Sequence, residues 1–292
     1  MAVVLALVSA LAYGLSDFLG GVVGRASSAW RVAVVVQAVS TLSAAAVALL
    51  LPGTPSGADL AWAVLAGTGT GIGVGFLFRG LAEGRMSVVA PLSAVGAAVV
   101  PVGVGLFLGE RPGPVVALAL VAAGPGIWLV ARSDTGDPGD PGDPGDRAAA
   151  GTAADRGSGT GVLDGVLAGL GFGVMFSAIG QVDESAGWWP IVLAQGVSTV
   201  VVALVATALG AAWRPQGPAW RAAPAGVLST AALVTFQLAT QRGLLTVSSV
   251  LASLYPAITV LLAVALLRER IHPSQALGLA LCAVTVTLVA LA

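Results

Sequence analysis

The fold is decided by the heptapeptide LGERPGP at residues 108–114, which recurs as LRERIHP at residues 267–273. Each copy lies between two long apolar runs, and the offset between Glu110 and Glu269 is 159 positions. The same offset, with no gap, aligns Leu11-x-x-Gly14 with Leu170-x-x-Gly173, Trp30 with Trp189, Ala66-Gly67 with Ala225-Gly226, Gly84 with Gly243, and Ala117-Leu118 with Ala276-Leu277. The sequence therefore predicts a duplicated chain.

The composition indicates a polytopic membrane protein. Of the 292 residues, 57% are hydrophobic and 9% are charged, and the mean hydropathy is +0.96. An ordinary soluble domain has roughly 25% charged residues. The net charge of -1 argues against nucleic acid as a partner. The single cysteine, Cys282, lies in an apolar run, so we expect it to serve packing and not a disulfide framework.

The apolar residues separate into ten runs of roughly 19 to 23 residues, each close to the ~20 with which a helix crosses a hydrocarbon core. Five runs fall in each copy: 2–23, 31–52, 60–79, 86–108 and 113–131, then 162–182, 189–210, 220–241, 246–267 and 273–291. Because five is odd, we expect the second copy to be inverted relative to the first. The predicted fold is an all-α integral membrane protein of ten transmembrane helices, built as two inverted five-helix repeats at residues 1–131 and 161–292.

A tract of different composition separates the two repeats, at residues 132–160. It repeats Gly136-Asp137-Pro138 as far as Asp146 and continues with Ala, Gly, Thr and Ser. Such a tract cannot bury apolar surface, which predicts a disordered acidic linker. We favour a plain tether over a segment that recruits a partner.

Arginine is distributed unevenly around the predicted spans. The connections that follow spans 2, 4, 6 and 8 hold only Arg111 and Arg242. Eleven arginines follow spans 1, 3, 5, 7 and 9: Arg25, Arg31, Arg79, Arg85, Arg132, Arg147, Arg156, Arg214, Arg221, Arg268 and Arg270. The positive-inside rule then places the linker in the cytoplasm and both chain termini outside.

Glycine recurs at four-residue spacing in two spans. Span 3 contains Gly67, Gly71 and Gly75, and span 6 contains Gly165, Gly169 and Gly173. Such a stripe lets a neighbouring backbone approach closely, so we expect both spans to be packed inside a bundle.

Asp17 is the acid that the predicted boundaries place well inside a span. An ionisable group at that depth costs at least ~2.5 kcal/mol unless it is paired or hydrated. Tyr13 lies one turn earlier and can donate a hydrogen bond to it. Two interpretations stay open: a substrate or coupling carboxylate, or a structural ion pair with Arg79 or Arg85. The duplicate position is Phe176, so any such role belongs to the first repeat alone.

Four further polar side chains are candidate binding residues. Gln237 and Gln241 share one helix face at i and i+4, and Ser93 lies within span 4. Tyr255 precedes Pro256 near the middle of span 9, where a proline frees backbone carbonyls. These groups can bind a polar solute, or they can join helices, an interaction worth about 0.6 kcal/mol each.

The duplicated Glu-Arg pairs at 110/111 and 269/270 allow two interpretations. A salt bridge that forms a gate is one, and anchoring of a turn at the membrane interface is the other. We favour the anchoring role, because both pairs stand at span ends beside short turns.

Motifs of enzymes are missing from the sequence. It has no His/Cys/Asp cluster with metal spacing, no Gly-x-Ser-x-Gly and no Walker loop, since the chain contains no lysine. We therefore expect neither catalysis nor a cofactor.

Three segments resemble the EamA-type members of the drug/metabolite transporter superfamily: AEGRMSVVAPL at 82–92, LGER at 108–111, and VSSVLASLYPA at 247–257. The resemblance implies a ten-helix carrier with a central cavity that moves small metabolites, such as amino acids, by alternating access. Where many members carry a Trp-Gly-Ser-Asn-like segment, this chain has YGLSD at 13–17. The resemblance also implies cytoplasmic termini, in contrast to the arginine distribution.

The sequence thus predicts a secondary transporter in the plasma membrane, a multi-pass protein whose partners are a small-molecule solute and the lipid bilayer. The solute class is small metabolites, amino-acid-like or otherwise polar or amphipathic. Proton coupling through Asp17 is the further hypothesis. An uncoupled facilitator and a membrane scaffold or lipid-handling protein are the alternatives, and the chain is expected to be a monomer or homodimer.

Overall fold

The computed structural model describes residues 1–24, 26–51, 53–82, 86–131, 144–267 and 273–291. Over these ranges the regular structure is helical throughout, with no strand, which confirms the all-α prediction. The α-helices are α1 Ala2–Gly24, α2 Ala29–Leu50, α3 Gly57–Ala82, α4 Met86–Phe107, α5 Pro114–Ala131, α6 Pro144–Ile179, α7 Trp189–Ala208, α8 Ala223–Thr240, α9 Leu245–Ala252, α10 Tyr255–Leu267 and α11 Pro273–Leu291. Short 3-10 turns at Glu184–Ala186 and Gly217–Ala222 precede α7 and α8.

Six helical segments are long and apolar enough to cross a membrane: Ala2–Gly24, Ala29–Leu50, Gly57–Gly80, Gly161–Ile179, Trp189–Ala208 and Gly217–Thr240. Four shorter apolar segments complete the series: Leu92–Phe107, Pro114–Leu129, Leu245–Thr259 and Ala276–Leu288. The ten segments follow the ten apolar runs in order. The protein is a membrane protein by these criteria, and the ten-span arrangement stays a prediction.

Predicted span 9 is broken, so the expectation of one helix over 246–267 is wrong. Helix α9 ends at Ala252, and α10 begins at Tyr255 after a turn at Ser253 and Leu254. Pro256 has no N–H, so it cannot donate the i to i−4 hydrogen bond that would continue the helix through the Ala252 carbonyl. The corresponding helix of the first repeat, α4, runs without interruption.

Helix α6 begins at Pro144, inside the tract predicted to be a disordered linker. Residues 132–143 of that tract lie outside the described residues. From Pro144 onward the structure differs from the prediction of disorder, because the chain is helical up to Ile179. The segment 147–155 is rich in alanine, the strongest helix former, and proline is favoured in the first turn. These preferences outweigh the glycines that suggested disorder.

The two repeats meet along α2 and α7 through two copies of one motif. QAVST at 37–41 and QGVST at 195–199 exchange hydrogen bonds: Gln37 Nε2 donates to Ser198 Oγ, and Gln195 Nε2 donates to Ser40 Oγ. The hydroxyls of Thr41 and Thr199 are 3.3 Å apart. Gln37 bonds to Ser198 and Ser40 to Gln195, so along these two hydrogen bonds α2 and α7 run in opposite directions.

The repeats also interleave, since α1 packs against helices of the second repeat. Ser9 Oγ donates to the Ala232 carbonyl at 2.8 Å, and Ser16 Oγ donates to the Ala225 carbonyl at 2.9 Å. This order makes α1 antiparallel to α8. As a result, the interior of the bundle is formed by helices of both repeats.

The glycine stripes lie at helix contacts, which confirms their predicted packing role. A Cβ atom at Gly67 would come within 2.3 Å of the Ala194 carbonyl oxygen on α7. On α6, a Cβ atom at Gly169 would come within 2.8 Å of the Leu92 carbonyl oxygen. Any side chain at these positions would push the helices apart, so close backbone contact joins α3 to α7 and α4 to α6.

Candidate functional site

A cavity of about 40 Å³ lies between the two repeats. Its walls come from α1, α2 and α3 of the first repeat and from α6, α7, α8 and α10 of the second. The lining residues are Tyr13, Ser16, Asp17, Val36, Gln37, Thr70, Val74, Phe78, Phe172, Met175, Phe176, Gln195, Ser229 and Tyr255. A water molecule needs roughly 10–15 Å³ of such space, so this conformation has room for about three waters.

Asp17 is half-buried on α1 and carries the charge of the cavity wall. Among the described residues, none donates a hydrogen bond to its carboxylate and none forms an ion pair with it. Arg79, one of the two partners considered for it, binds Asp164 instead, so that pairing is wrong. Arg85, the other, lies outside the described residues. The Asp17 carboxylate therefore faces the cavity without a described counter-charge.

Aromatic rings line the same cavity as Asp17. Tyr13 and Phe176 meet edge to face with ring centroids 5.9 Å apart, and Tyr13 lies 6.4 Å from the Tyr255 ring. Both tyrosines are close enough to Asp17 to interact with its charge. The Tyr13 hydroxyl has only the soft Met175 Sδ as an acceptor, at 4.0 Å. The three rings and the Asp17 carboxylate therefore contribute to one cavity lining.

Close packing of α1 on the start of α10 brings Tyr255 to the site. A Cβ atom at Gly14 would come within 2.9 Å of the Tyr255 carbonyl oxygen and 2.6 Å of Ile258 Cβ. Only glycine permits this approach, and it lies between Tyr13 and Asp17 in the sequence. The break before α10 thus places Tyr255 directly opposite the acid.

Amides and hydroxyls complete the lining. Gln37 and Gln195 are both 1% exposed, and each donates its amide N–H across the contact between α2 and α7. The Gln195 Oε1 atom has no hydrogen-bond partner among the described residues. The sequence analysis did not assign these two glutamines to the site. The signal was the repeated Gln-x-Val-Ser-Thr, which is offset by 158 positions, from Gln37 to Gln195, and not by 159.

The structure brings together three of the six predicted site residues. Asp17, Tyr13 and Tyr255 line the cavity. Ser93 is fully buried on α4, and its side chain approaches the Tyr255 hydroxyl, which itself has no hydrogen bond of normal geometry.

Gln237 and Gln241 do not line the cavity. Gln237 is 1% exposed and its Oε1 has no described partner, whereas Gln241 is half-exposed directly after the last turn of α8. Although the spacing of i and i+4 places both on one helix face, Gln241 lies at the helix end. The pair therefore does not converge on the solute cavity in this conformation.

Sequence reasoning missed a second acid within the helices. Asp164 on α6 is fully buried, and Arg79 Nε on α3 donates to its Oδ1 at 3.1 Å. The Arg79 guanidinium also stacks on the Phe76 ring, 4.6 Å from the centroid. A signal existed, because the predicted topology places the end of span 3 and the start of span 6 on the same membrane face.

Glu110, from the duplicated turn, joins the two repeats. Its Oε1 accepts from the Leu245 amide at 2.6 Å and its Oε2 accepts from the Thr246 amide at 2.9 Å. A carboxylate in this position caps the N-terminus of α9 and interacts favourably with the helix dipole. Neither expected role, gate salt bridge or turn anchor, describes this contact. Its repeat counterpart, Glu269, lies outside the described residues.

Comparison with known proteins finds a family match in the second repeat. The model of the EamA-like transporter family matches residues 159–291, the second repeat. A solved structure described as "Crystal structure of protein" is similar in fold, with a TM-score of 0.70 and 17% sequence identity over 99% of this chain and 96% of that chain. No curated protein matches the chain. Members of this family are in general not enzymes. The second repeat is thus similar to EamA-like transporters, and the solved structure shares the fold of nearly the whole chain.

Proposed function

We propose that this protein is a secondary transporter that moves small solutes by alternating access through the cavity at Asp17. The position of the cavity carries the proposal, because its walls come from both repeats. Relative movement of the repeats would therefore change access to Asp17. An unpaired carboxylate among membrane-spanning helices is expensive, and such groups normally mark solute or ion pathways.

The proposed arrangement is ten transmembrane helices in two inverted repeats. It is supported by the antiparallel contact of α2 and α7, in which equivalent glutamines and serines exchange hydrogen bonds. Inverted repeats provide two conformations of nearly equal energy, open to opposite sides around a shared central site. The cavity has a volume of about 40 Å³ in this conformation, so we expect it to widen when the site opens to either side.

Proton coupling is the second part of the proposal. Asp17 is the titratable carboxylate of the cavity wall, and protonation removes the charge that the site must otherwise stabilise. A proton and a solute that both use this carboxylate are linked, since each changes the free energy of binding the other.

Purified protein in liposomes tests both parts. Solute uptake is measured with and without an imposed pH gradient, for the natural chain, for Asp17→Asn and for the control Asp183→Asn, which changes an exposed acid far along the sequence. We expect the gradient to drive accumulation by the natural chain and the control, but not by Asp17→Asn. Flux that ignores the gradient and survives Asp17→Asn would identify an uncoupled facilitator.

A scaffold or lipid-handling protein is the second candidate, and the 40 Å³ cavity is the observation that favours it. Such a protein has no need of a solute-sized space in any conformation. Cysteine pairs placed across the contact between α2 and α7 would distinguish the two candidates. A crosslink that blocks solute flux supports alternating access, whereas flux absent from the natural chain for every solute supports the scaffold.

A further inference from the structure

We infer that the transported solute is a small organic cation, an amine with an apolar substituent and no carboxylate, whose ammonium group binds Asp17. This inference rests on the proposed transport function and specifies its substrate. It narrows the broad class of amino-acid-like metabolites to one charge type.

The charge of the cavity wall selects the sign of the solute. Asp17 is the charged residue among the described lining residues, and no described arginine lines the cavity. The chain contains no lysine. Arg79 is bound to Asp164, so it does not supply a free positive charge nearby. An anion would meet uncompensated repulsion, and the carboxylate of an amino acid would find no cationic partner. A cation would neutralise Asp17.

The aromatic wall fits the same ligand. Tyr13, Phe176 and Tyr255 line the cavity together with Asp17, and the Tyr13 ring centroid lies within 6.4 Å of both other ring centroids. A cation within about 6 Å of a ring centroid is attracted to the negative face of the π-system, most strongly where water is excluded. The rings also cover an apolar substituent, as do Phe78 and Phe172 on the remaining wall.

The hydrogen-bonding groups of the cavity lining also favour an amine. Two acceptors of the lining have no described donor: the Asp17 carboxylate and the Gln195 Oε1 atom. The Tyr13 and Tyr255 hydroxyls, also in the lining, can accept as well as donate. Ser16 Oγ and the Gln195 amide N–H are already used between helices. A protonated primary amine brings three N–H donors and satisfies these acceptors.

Matched pairs of solutes test the inference on the full-length protein. Each pair is an amino acid and the amine that lacks its carboxylate: valine with isobutylamine, and phenylalanine with phenethylamine. Tetramethylammonium, a permanent cation without N–H groups, separates charge from hydrogen bonding. The apparent melting temperature in detergent is recorded against solute concentration, because binding to the folded state raises it. Uptake of tetramethylammonium into proteoliposomes, compared with protein-free liposomes, gives the transport readout.

We expect each amine to raise the melting temperature and each amino acid to leave it unchanged. Asp17→Asn should weaken amine binding by on the order of tenfold to a hundredfold, the value of a hydrogen bond to a charged group. Asp17→Glu, which retains the charge, should recover part of the binding, and Asp183→Asn should bind as the natural chain does. If primary amines raise the melting temperature more than tetramethylammonium does, hydrogen bonds from their N–H groups contribute to the affinity.

Two results would overturn the inference. One is an amino acid that raises the melting temperature as much as its amine, and the other is amine binding that Asp17→Asn does not reduce. If neutral or zwitterionic solutes move across proteoliposomes while cations do not, the solute class is wrong but the transport proposal stands. If no solute of any class binds or moves, the transport proposal itself fails.

Discussion

Asp17 on α1 and Asp164 on α6 are two carboxylates on equivalent helices of the two repeats, yet their surroundings differ completely. Asp164 is fully buried and bound by Arg79. Asp17 faces a cavity and has no described counter-charge. In a buried ion pair each charge is neutralised by its partner. A carboxylate without a described counter-charge beside a cavity remains available to a ligand. The two acids share a residue type but differ in their surroundings: Asp164 binds Arg79, whereas Asp17 faces the cavity.

The largest expected effect is on transport, through Asp17→Asn. Because the substitution removes a charge without removing a partner, we expect pH-driven solute accumulation in proteoliposomes to be lost. The melting temperature should stay unchanged or rise, since no ion pair is broken and the cost of an unpaired charge disappears. A marked fall in melting temperature would show that Asp17 is structural as Asp164 is, and would end the contrast between them.

The second effect is on stability, through Arg79→Leu. It removes the Arg79 guanidinium from the buried Asp164 carboxylate, and breaking a buried ion pair in this way costs about 3–5 kcal/mol of folding free energy. We expect a strongly lowered melting temperature and poor recovery from the membrane. The double variant Arg79→Leu with Asp164→Leu should restore most of the loss, because no uncompensated charge remains. Equal instability of the single and double variants would contradict this role.

A smaller effect is expected at Glu110, an acid whose partners are backbone amides. Glu110→Gln keeps the shape of the side chain but replaces the carboxylate that accepts hydrogen bonds from the Leu245 and Thr246 amides at the start of α9. The loss of a helix cap costs about 0.5–2 kcal/mol. We expect a moderate decrease in thermal stability, with solute affinity at Asp17 retained. Glu110→Ala, which removes the cap altogether, should decrease it further.

The smallest effect is expected at the exposed Asp183, before the 3-10 turn at Glu184–Ala186. Hydrogen bonds from the Ser185 hydroxyl and amide lower the pKa of its carboxyl below the usual value. A carboxyl whose pKa is lower in the folded than in the unfolded protein stabilises the folded state when the pH is above the unfolded-state pKa. This stabilisation is lost as the pH falls through the folded-state pKa. Asp183→Asn should therefore reduce the fall in melting temperature on acidification below about pH 4, where aspartate normally titrates. An identical acid dependence in both proteins would contradict this assignment.

Much of the fold could be predicted because hydropathy is a local property. The ten apolar runs correspond in order to helical segments, and the glycine stripes at Gly67 and Gly169 lie where helices touch. The break before Tyr255 was missed, although Pro256 was noted, because a proline inside a span can bend a helix or end it. The helix from Pro144 was missed because composition alone suggested disorder.

The candidate site was predictable in part. Asp17, Tyr13 and Tyr255 were found because a charge or a tyrosine within an apolar run stands out by itself. Gln237 and Gln241 were equally visible, yet they lie away from the cavity, since an amide side chain gives no sign of which neighbour it faces. The role of Gln195 depends on α2, a helix more than 150 residues earlier in the chain.

By itself, the sequence determined that this protein is helical, duplicated and embedded in a membrane, because those properties follow from residue spacing and from the cost of burying polar backbone in lipid. Tertiary structure alone decided which acid is paired. Arg79 reaches Asp164 and not Asp17 because α3 packs on α6, and that contact joins residues 85 positions apart. Hydrophobicity dictates where each helix lies along the chain, but only the packing of helix surfaces decides which charge is left facing the cavity.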